Sequence, residues 1–270
     1  MIKYDFHLHT EHSSDSDTPM LAMVKKGISL GLLAMCFTEH EDIDFPASEK
    51  GTSNFEVDLS LYYSELCKLK ELYKGKINIL FGIELGLQPH LTDQYQNYVN
   101  QNKFDFILGS SHVVDRIDPY YPAYFQGRSE DASYLRYFES ELESVRLFDT
   151  YDVYGHLDYI VRYGPNKNLY YSYEKYADIL DEILKVIIQK GKGIEINTGG
   201  LRYGLGHPNP TETIIKRYKE LGGEIITLGS DAHTPDYITY EFDRAEAILK
   251  KSGFQYYTIF ENRIPSFVKL

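Results

Sequence analysis

The chain has 270 residues, with 28 basic against 40 acidic side chains for a formal net charge of −12, and 43% hydrophobic residues. This usage is ordinary for a globular protein and excludes a disordered, collagenous or coiled-coil chain, while the length allows one large domain or two small ones. The acidic balance repels phosphate backbones and disfavours a general nucleic-acid binder, and a small anionic substrate would need a local reversal of sign, such as bound metal provides.

In chain order, the first apolar run, residues 2–6 (IKYDF), predicts a strand followed at once by His7 and His9. The run 32–37 (LLAMCF) predicts the second, followed by Glu39 and His40. Residues 57–73 carry Leu59, Tyr63, Leu66, Leu69 and Tyr73 at helical spacing. Runs 77–82 and 104–110 predict strands ahead of Glu84 and His112. Residues 113–128 have no period, and Pro119, Pro122 and Gly127 forbid a regular helix. This segment is expected to rim the site that His112 joins, its rings facing substrate and Asp115 or Asp118 attracting a cation. A strand at 151–155 precedes His156, and a helix at 172–190 ends at Gly191. The strand 193–197 ends in Asn197, with Glu195 on the same side. A helix at 211–221, a strand at 224–229 followed by Asp231 and His233, a helix at 240–252 and a last strand at 256–260 complete the series.

Mostly apolar strands alternating with amphipathic helices imply a parallel sheet buried on both faces. Seven or eight such units predict a closed α/β barrel of the TIM type. No glycine-rich dinucleotide turn follows the first strand, which argues against an open doubly wound sheet. In a parallel barrel the strand ends open on one face, where His7, His9, His40, His112, His156 and His233 would converge. His7 and His9 lie two apart on an extended strand and point to one side. Imidazole and carboxylate suit Zn, Mn or Fe, and six histidines with three carboxylates are too many ligands for one ion, so two or three divalent ions are expected. Such a cluster reverses the local charge, lowers the pKa of water and clamps phosphoryl oxygens. Cys36 and Cys67 form no metal spacing and read as buried free thiols of a reducing compartment. The chain shows no apolar run of membrane-spanning length and no signal-peptide pattern at its start. A cytoplasmic protein without membrane partner is the expectation.

The motifs resemble the PHP (polymerase and histidinol phosphatase) superfamily over essentially the whole chain. They are DFHLHTEHSSDSD (His7, His9, Asp15), FTEH (His40), GIELG (Glu84), GSSH (His112), GHLD (His156) and GSDAH (Asp231, His233). The resemblance implies a distorted (β/α)7 TIM-like barrel in a single domain, 1–270. Within the superfamily, EINTGGLRYGLGHPNP and GHLDYIVRYGP resemble segments of the monofunctional histidinol-phosphate phosphatases. They bring Arg162, Arg202 and His207 into the substrate zone. What this implies is hydrolysis of L-histidinol phosphate to L-histidinol and phosphate, in histidine biosynthesis. Carried over residue by residue, one metal takes His7, His9, Glu84 and Asp231. A second shares Glu84 and adds His112 and His156, and a third takes Asp15, His40 and His233. Asp15 stands six residues after His9 where a shorter family spelling has five, which leaves Asp17 as a substitute.

On this reading Arg162 and Arg202 hold phosphate oxygens in the bidentate geometry of guanidinium, and Asn197 contacts substrate. His207 or Asp231 supplies the leaving-group proton. Glu39 orients a ligand or lies on the surface, Glu195 satisfies a buried network, His12 and His90 are peripheral, and Asp158 caps a turn. The alternatives are a PHP phosphoesterase acting on nucleotides or phosphotyrosine, a proofreading exonuclease module, and a metal-binding domain without catalysis.

Overall fold

The computed structural model describes residues 2–46 and 55–270. Strand β1 (Tyr4–Leu8) leads through α1 (Met20–Ser29) to β2 (Ala34–Phe37) and the two-residue β3 (His40–Glu41). Then come α2 (Leu59–Leu72), β4 (Asn78–Gly86), α3 (Thr92–Gln101), β5 (Phe106–Ser110), α4 (Glu130–Leu147) and β6 (Val153–Tyr154). The second half holds α5 (Ala177–Gln189), β7 (Gly193–Asn197), the single turn α6 (Gly199–Arg202), α7 (Glu212–Glu220), β8 (Ile226–Gly229) and α8 (Phe242–Lys251). The chain finishes in β9 (Tyr256–Glu261) and β10 (Ile264–Lys269).

The parallel strands run in the order β1-β2-β4-β5-β6-β7-β8, with β3 paired to β4 at one end. Closure is made near the strand ends, where Asp231 N donates to His7 O at 2.9 Å and His9 N to Ala232 O at 3.0 Å. Lower down, β1 and β8 lack a regular ladder, and the Asp5 carboxylate accepts from Ser230 N at 3.0 Å instead. The result is a nearly closed barrel, as the alternation of runs predicts, and it is distorted, as the family resemblance implies. Phe6, Cys36, Leu80, Phe106, Leu108 and Val153 fill its interior. A larger apolar layer lies between strands and helices, so the strands are buried on both faces.

Four expectations need correction. The run at 256–260 forms a strand, but in a separate antiparallel hairpin with β10. Asn262 and Arg263, both at positive φ, make the two-residue turn, the geometry that suits the right-handed twist of paired strands. Phe260 plugs the barrel floor against Phe106 at 5.2 Å, and Arg263 pairs with Asp152 at 2.7 Å. Next, β4 extends past residue 82 through Glu84, which therefore stands within a strand rather than after it. Cys67 is exposed, because it lies on the outer face of α2, whereas Cys36 is buried. Asp158 makes no side-chain cap; its carboxylate accepts from Asn209 Nδ2 at 2.5 Å and Thr211 N at 2.9 Å, tying two loops together.

Candidate metal centre

The register of the strands assembles the centre around Glu84. The β3–β4 pairing sets His40 beside Glu84, and β5 follows on the other side, carrying His112 past its end. Glu84 is fully buried. Its Oε1 lies 3.0 Å from His156 Nε2 and 3.2 Å from His112 Nε2. Its Oε2 lies 3.1 Å from His7 Nε2, 3.4 Å from His9 Nε2 and 3.1 Å from His40 Nδ1. The two oxygens thus divide the rings between them. His7 and His9 meet through their Nε2 atoms at 3.0 Å, as expected for residues two apart on a strand. Asp231 Oδ1 stands 3.7 Å from both. At the outer side, Asp15 Oδ2 is 3.1 Å from His233 Nε2 and 3.5 Å from His40 Nε2. His156 and Asp231 hold positive φ, a backbone strain found where surrounding structure fixes a side chain for use.

The opposite edges of the rings are held by acceptors. His7 Nδ1 donates to Glu195 Oε1 at 2.7 Å, His112 Nδ1 to Asp42 Oδ1 at 2.8 Å and His233 Nδ1 to the Asp231 carbonyl at 3.1 Å. His9 Nδ1 donates to Ser13 Oγ at 3.1 Å, and Ser13 donates in turn to Glu39 at 2.5 Å. A proton on Nδ1 leaves the lone pair on Nε2, and in all four rings Nε2 faces inward. That tautomer is the one a metal ion requires. Five ring nitrogens around one carboxylate also exceed its roughly four acceptor positions, so the donor set fits divalent cations. Close sets of ligand atoms are His7, His9 and Glu84; His40, Glu84 and His112; and His9, His40 and His233.

The electrostatics follow from this crowding. Burial pulls the His7 imidazole down, but Glu195, Glu84 and Asp231 outweigh it and hold it well above its usual value. Burial and the neighbouring His40, His233 and His7 rings hold His9 well below. Against burial, His7, His112 and His40 keep Glu84 well below the usual carboxylate range. Against burial, His7 and Arg162 do the same for Asp231. Ionised carboxylates therefore sit at the centre of a cluster where protons or metal ions compete for the rings.

A cavity of ≈ 600 Å³ opens above the cluster, with Asp15, His40, Glu84, His112, His156, Asp231 and His233 on its floor and Arg162 and Arg202 on its wall. Arg202 stacks between the rings of Tyr203 and Tyr237 at 4.8 and 4.9 Å. Arg162 is buried, donating to Asn209 Oδ1 at 3.0 Å and Asn197 Oδ1 at 3.2 Å and lying 3.4 Å from Asp231 Oδ2. Two expected substrate residues do not reach the cavity. Asn197 is fully buried beneath it, holding Arg162 and accepting from Gly199 N at 2.8 Å. His207 is absent from the lining, and its Nδ1 turns to the Pro208 carbonyl at 2.7 Å. Asp15 rather than Asp17 faces the rings. Glu39 is buried, which excludes its surface reading. His12 pairs with Glu65 at 2.9 Å and His90 with Asp44 at 2.9 Å, both away from the centre.

Sequence reasoning missed Asp42 and Ser13, and Tyr159, Tyr163 and Tyr203 on the cavity wall. Asp42 follows FTEHE directly, so the local density of acids was the available signal. Among the described residues no helix is long and apolar enough to cross a membrane.

The PHP domain family model matches residues 5–199. A histidinol-phosphatase of Lactococcus lactis subsp. lactis is 33% identical over 260 residues, covering 94% of this chain and 93% of its own. A probable histidinol-phosphatase of Clostridium acetobutylicum is also 33% identical, over 90% of this chain and 91% of its own. Among solved structures, histidinol phosphate phosphatase from Lactococcus lactis, complexed with zinc, L-histidinol and phosphate, superposes with a TM-score of 0.89 at 29% identity, covering 98% of each chain. With its barrel and its motifs in this order, the chain belongs to the PHP domain family.

Proposed function

We propose that this protein is a metal-dependent histidinol-phosphatase, hydrolysing L-histidinol phosphate to L-histidinol and phosphate in histidine biosynthesis. The observation that carries the reading is one cavity that joins the Glu84-centred ligand cluster to the Arg202 guanidinium, which has no carboxylate partner among the described residues. The full-length likeness to histidinol-phosphatases supports the substrate. The enzyme takes two to three ions of Zn, Mn or Fe. His7, His9, Glu84 and Asp231 would hold one, Glu84, His112 and His156 a second, and Asp15, His40 and His233 a third. The split of rings between the two Glu84 oxygens supports its bridging role. A single domain spanning 1–270 is part of the reading, supported by the closure of β1 against β8 from opposite ends of the chain. So is a small cytoplasmic substrate in preference to nucleic acid, supported by the net charge of −12.

Bound divalent ions supply Lewis-acid polarisation of phosphoryl oxygens and a water of lowered pKa. The chain's own residues do the rest. Arg202 receives phosphate oxygens from the cavity wall. Arg162 fixes Asp231 through its Oδ2 and stays anchored by Asn197 and Asn209. Asp231, held ionised and turned toward His7 and His9 by Oδ1, would serve as a metal ligand, and the proton released from the attacking water would pass through solvent to the leaving alkoxide. Glu195, Asp42 and Ser13 lock the rings of His7, His112 and His9. His207 lies outside the cavity, so the leaving-group proton is not assigned to it. Steady-state comparison of histidinol phosphate, nucleotides and phosphotyrosine peptides tests the reading. A kcat/KM for histidinol phosphate far above the others is expected, and a preference for either rival class would overturn it.

A further inference from the structure

Beside the metal-side cavity lies a second of ≈ 310 Å³, and the two share Asp15, His40, His112, Tyr159, Tyr163 and Tyr203 on their walls. A molecule held by its phosphate over the cluster has room to extend into the second space. The far wall carries Asp118, Tyr120 and Tyr121 from the loop after β5. The Tyr120 ring packs on Tyr163 at 5.6 Å and Tyr163 on Tyr159 at 5.0 Å, giving one continuous aromatic surface.

The acids bordering this space differ in whether they are already engaged. Asp42 accepts from His112 Nδ1 at 2.8 Å, and Asp15 lies against His233 at 3.1 Å. Asp115, three residues before Asp118 in the same loop, takes Arg136 on both oxygens at 2.8–3.2 Å, with Arg128 at 3.7 Å. Asp118 has only the Tyr120 backbone N–H, at 2.8 Å. Among the described residues no lysine or arginine pairs with it, and the positive pull on it comes from the His112 ring of the cluster.

Resting on the phosphatase reading, we propose that Asp118 is the specificity residue of the site. Its carboxylate, framed by tyrosine rings, receives the ammonium group of a cationic phosphate monoester whose phosphate lies at Arg202. The aromatic faces add cation–π attraction to the charge pair. Burial supports the assignment, since it pushes the Asp118 carboxyl up to about 6 against the pull of the Tyr120 N–H and the His112 ring, a penalty that a bound ammonium relieves. An acidic protein thereby selects a substrate that brings its own positive charge to one end and its negative charge to the other.

The test compares histidinol phosphate with its des-amino analogue, 3-(imidazol-4-yl)propyl phosphate, at about pH 8, where the imidazole of both is neutral. For Asp118→Asn, which keeps the shape and an acceptor for Tyr120 N–H, the ratio of kcat/KM between the two esters is expected to fall roughly 10- to 100-fold. The loss should lie in KM, and inhibition by L-histidinol should weaken in parallel. Equal losses on both esters, or no change in the ratio, would overturn the proposal. Wild-type protein inactive on both esters would overturn the phosphatase reading itself, and this inference with it.

Discussion

Replacing Arg202 with alanine removes a guanidinium that the folded chain leaves almost unengaged. Arg202 makes one hydrogen bond, to the Tyr203 hydroxyl at 3.3 Å, and stacks between two rings. Most of its five donors are therefore free for phosphate. A hydrogen bond to a charged group contributes about 1.5–3 kcal/mol, so kcat/KM for histidinol phosphate is expected to fall roughly 10- to 150-fold. Arg202 is half-buried, and water replaces part of the contact, which places the expectation in the lower half of that range. Arg202→Lys should recover part of the loss, keeping charge without the planar fork. Metal content and Tm should stay near wild type, because no buried group loses its partner. Arg162→Ala is the contrast. It strips Asp231, Asn197 and Asn209 of a buried guanidinium, and breaking one side of a buried pair costs about 3–5 kcal/mol of stability. Steady-state kinetics, metal analysis and thermal melts on both variants decide the matter. Near-normal kcat/KM for Arg202→Ala with full metal would refute the clamp.

Glu84→Gln keeps the side-chain volume but loses the charge that faces five rings; more than one metal equivalent should be lost on dialysis, and full stoichiometry would show that Glu84 does not bridge. Glu141 is fully buried, and burial together with Asp158 pushes its carboxyl well above its usual value, while the neighbouring Tyr137 hydroxyl donates instead to the Ser111 carbonyl at 2.7 Å. Unfolded Glu141 ionises near its ordinary value while the folded form keeps its proton, so stability falls as pH rises between the two values. Glu141→Gln should therefore raise Tm over wild type by a margin that grows from about pH 5 to about pH 8, and a margin independent of pH would contradict that assignment.

Apart from Asp15, the positions of the candidate ligands are legible because they stand one to four residues beyond short apolar runs, and a parallel barrel gathers such ends. Glu84 entered on the same logic although its strand runs through it, because the pairing with β3 continues the ladder further than hydropathy shows. The outer contacts were not legible. Asp42 reaches His112 only because Gly86 has no side chain there: a Cβ on Gly86 would overlap the Asp42 carboxylate. Glu195 reaches His7 across the barrel, 188 positions away in sequence. No local pattern encodes either approach. The motifs place Arg162 and Arg202 together, and the structure separates them: Arg162 is committed to Asp231 and two asparagines, whereas Arg202 bonds the Tyr203 hydroxyl and keeps most of its donors toward the cavity. Asp115 and Asp118 looked equivalent in the loop, and only the placement of Arg136 and Arg128 distinguishes them. The hairpin at the C-terminus was half seen, because Pro265 and the exposed Ile264 and Phe267 disguise β10 as a tail.

The most direct test of the central claim is turnover of histidinol phosphate by chelator-stripped protein titrated with Zn, Mn or Fe, with bound metal counted at each point. Stripped protein should be inactive, and activity should return as two to three equivalents bind, with His9→Ala binding fewer and staying inactive. Full turnover in protein verified as metal-free, or hydrolysis that persists in His9→Ala at wild-type rate, would contradict it.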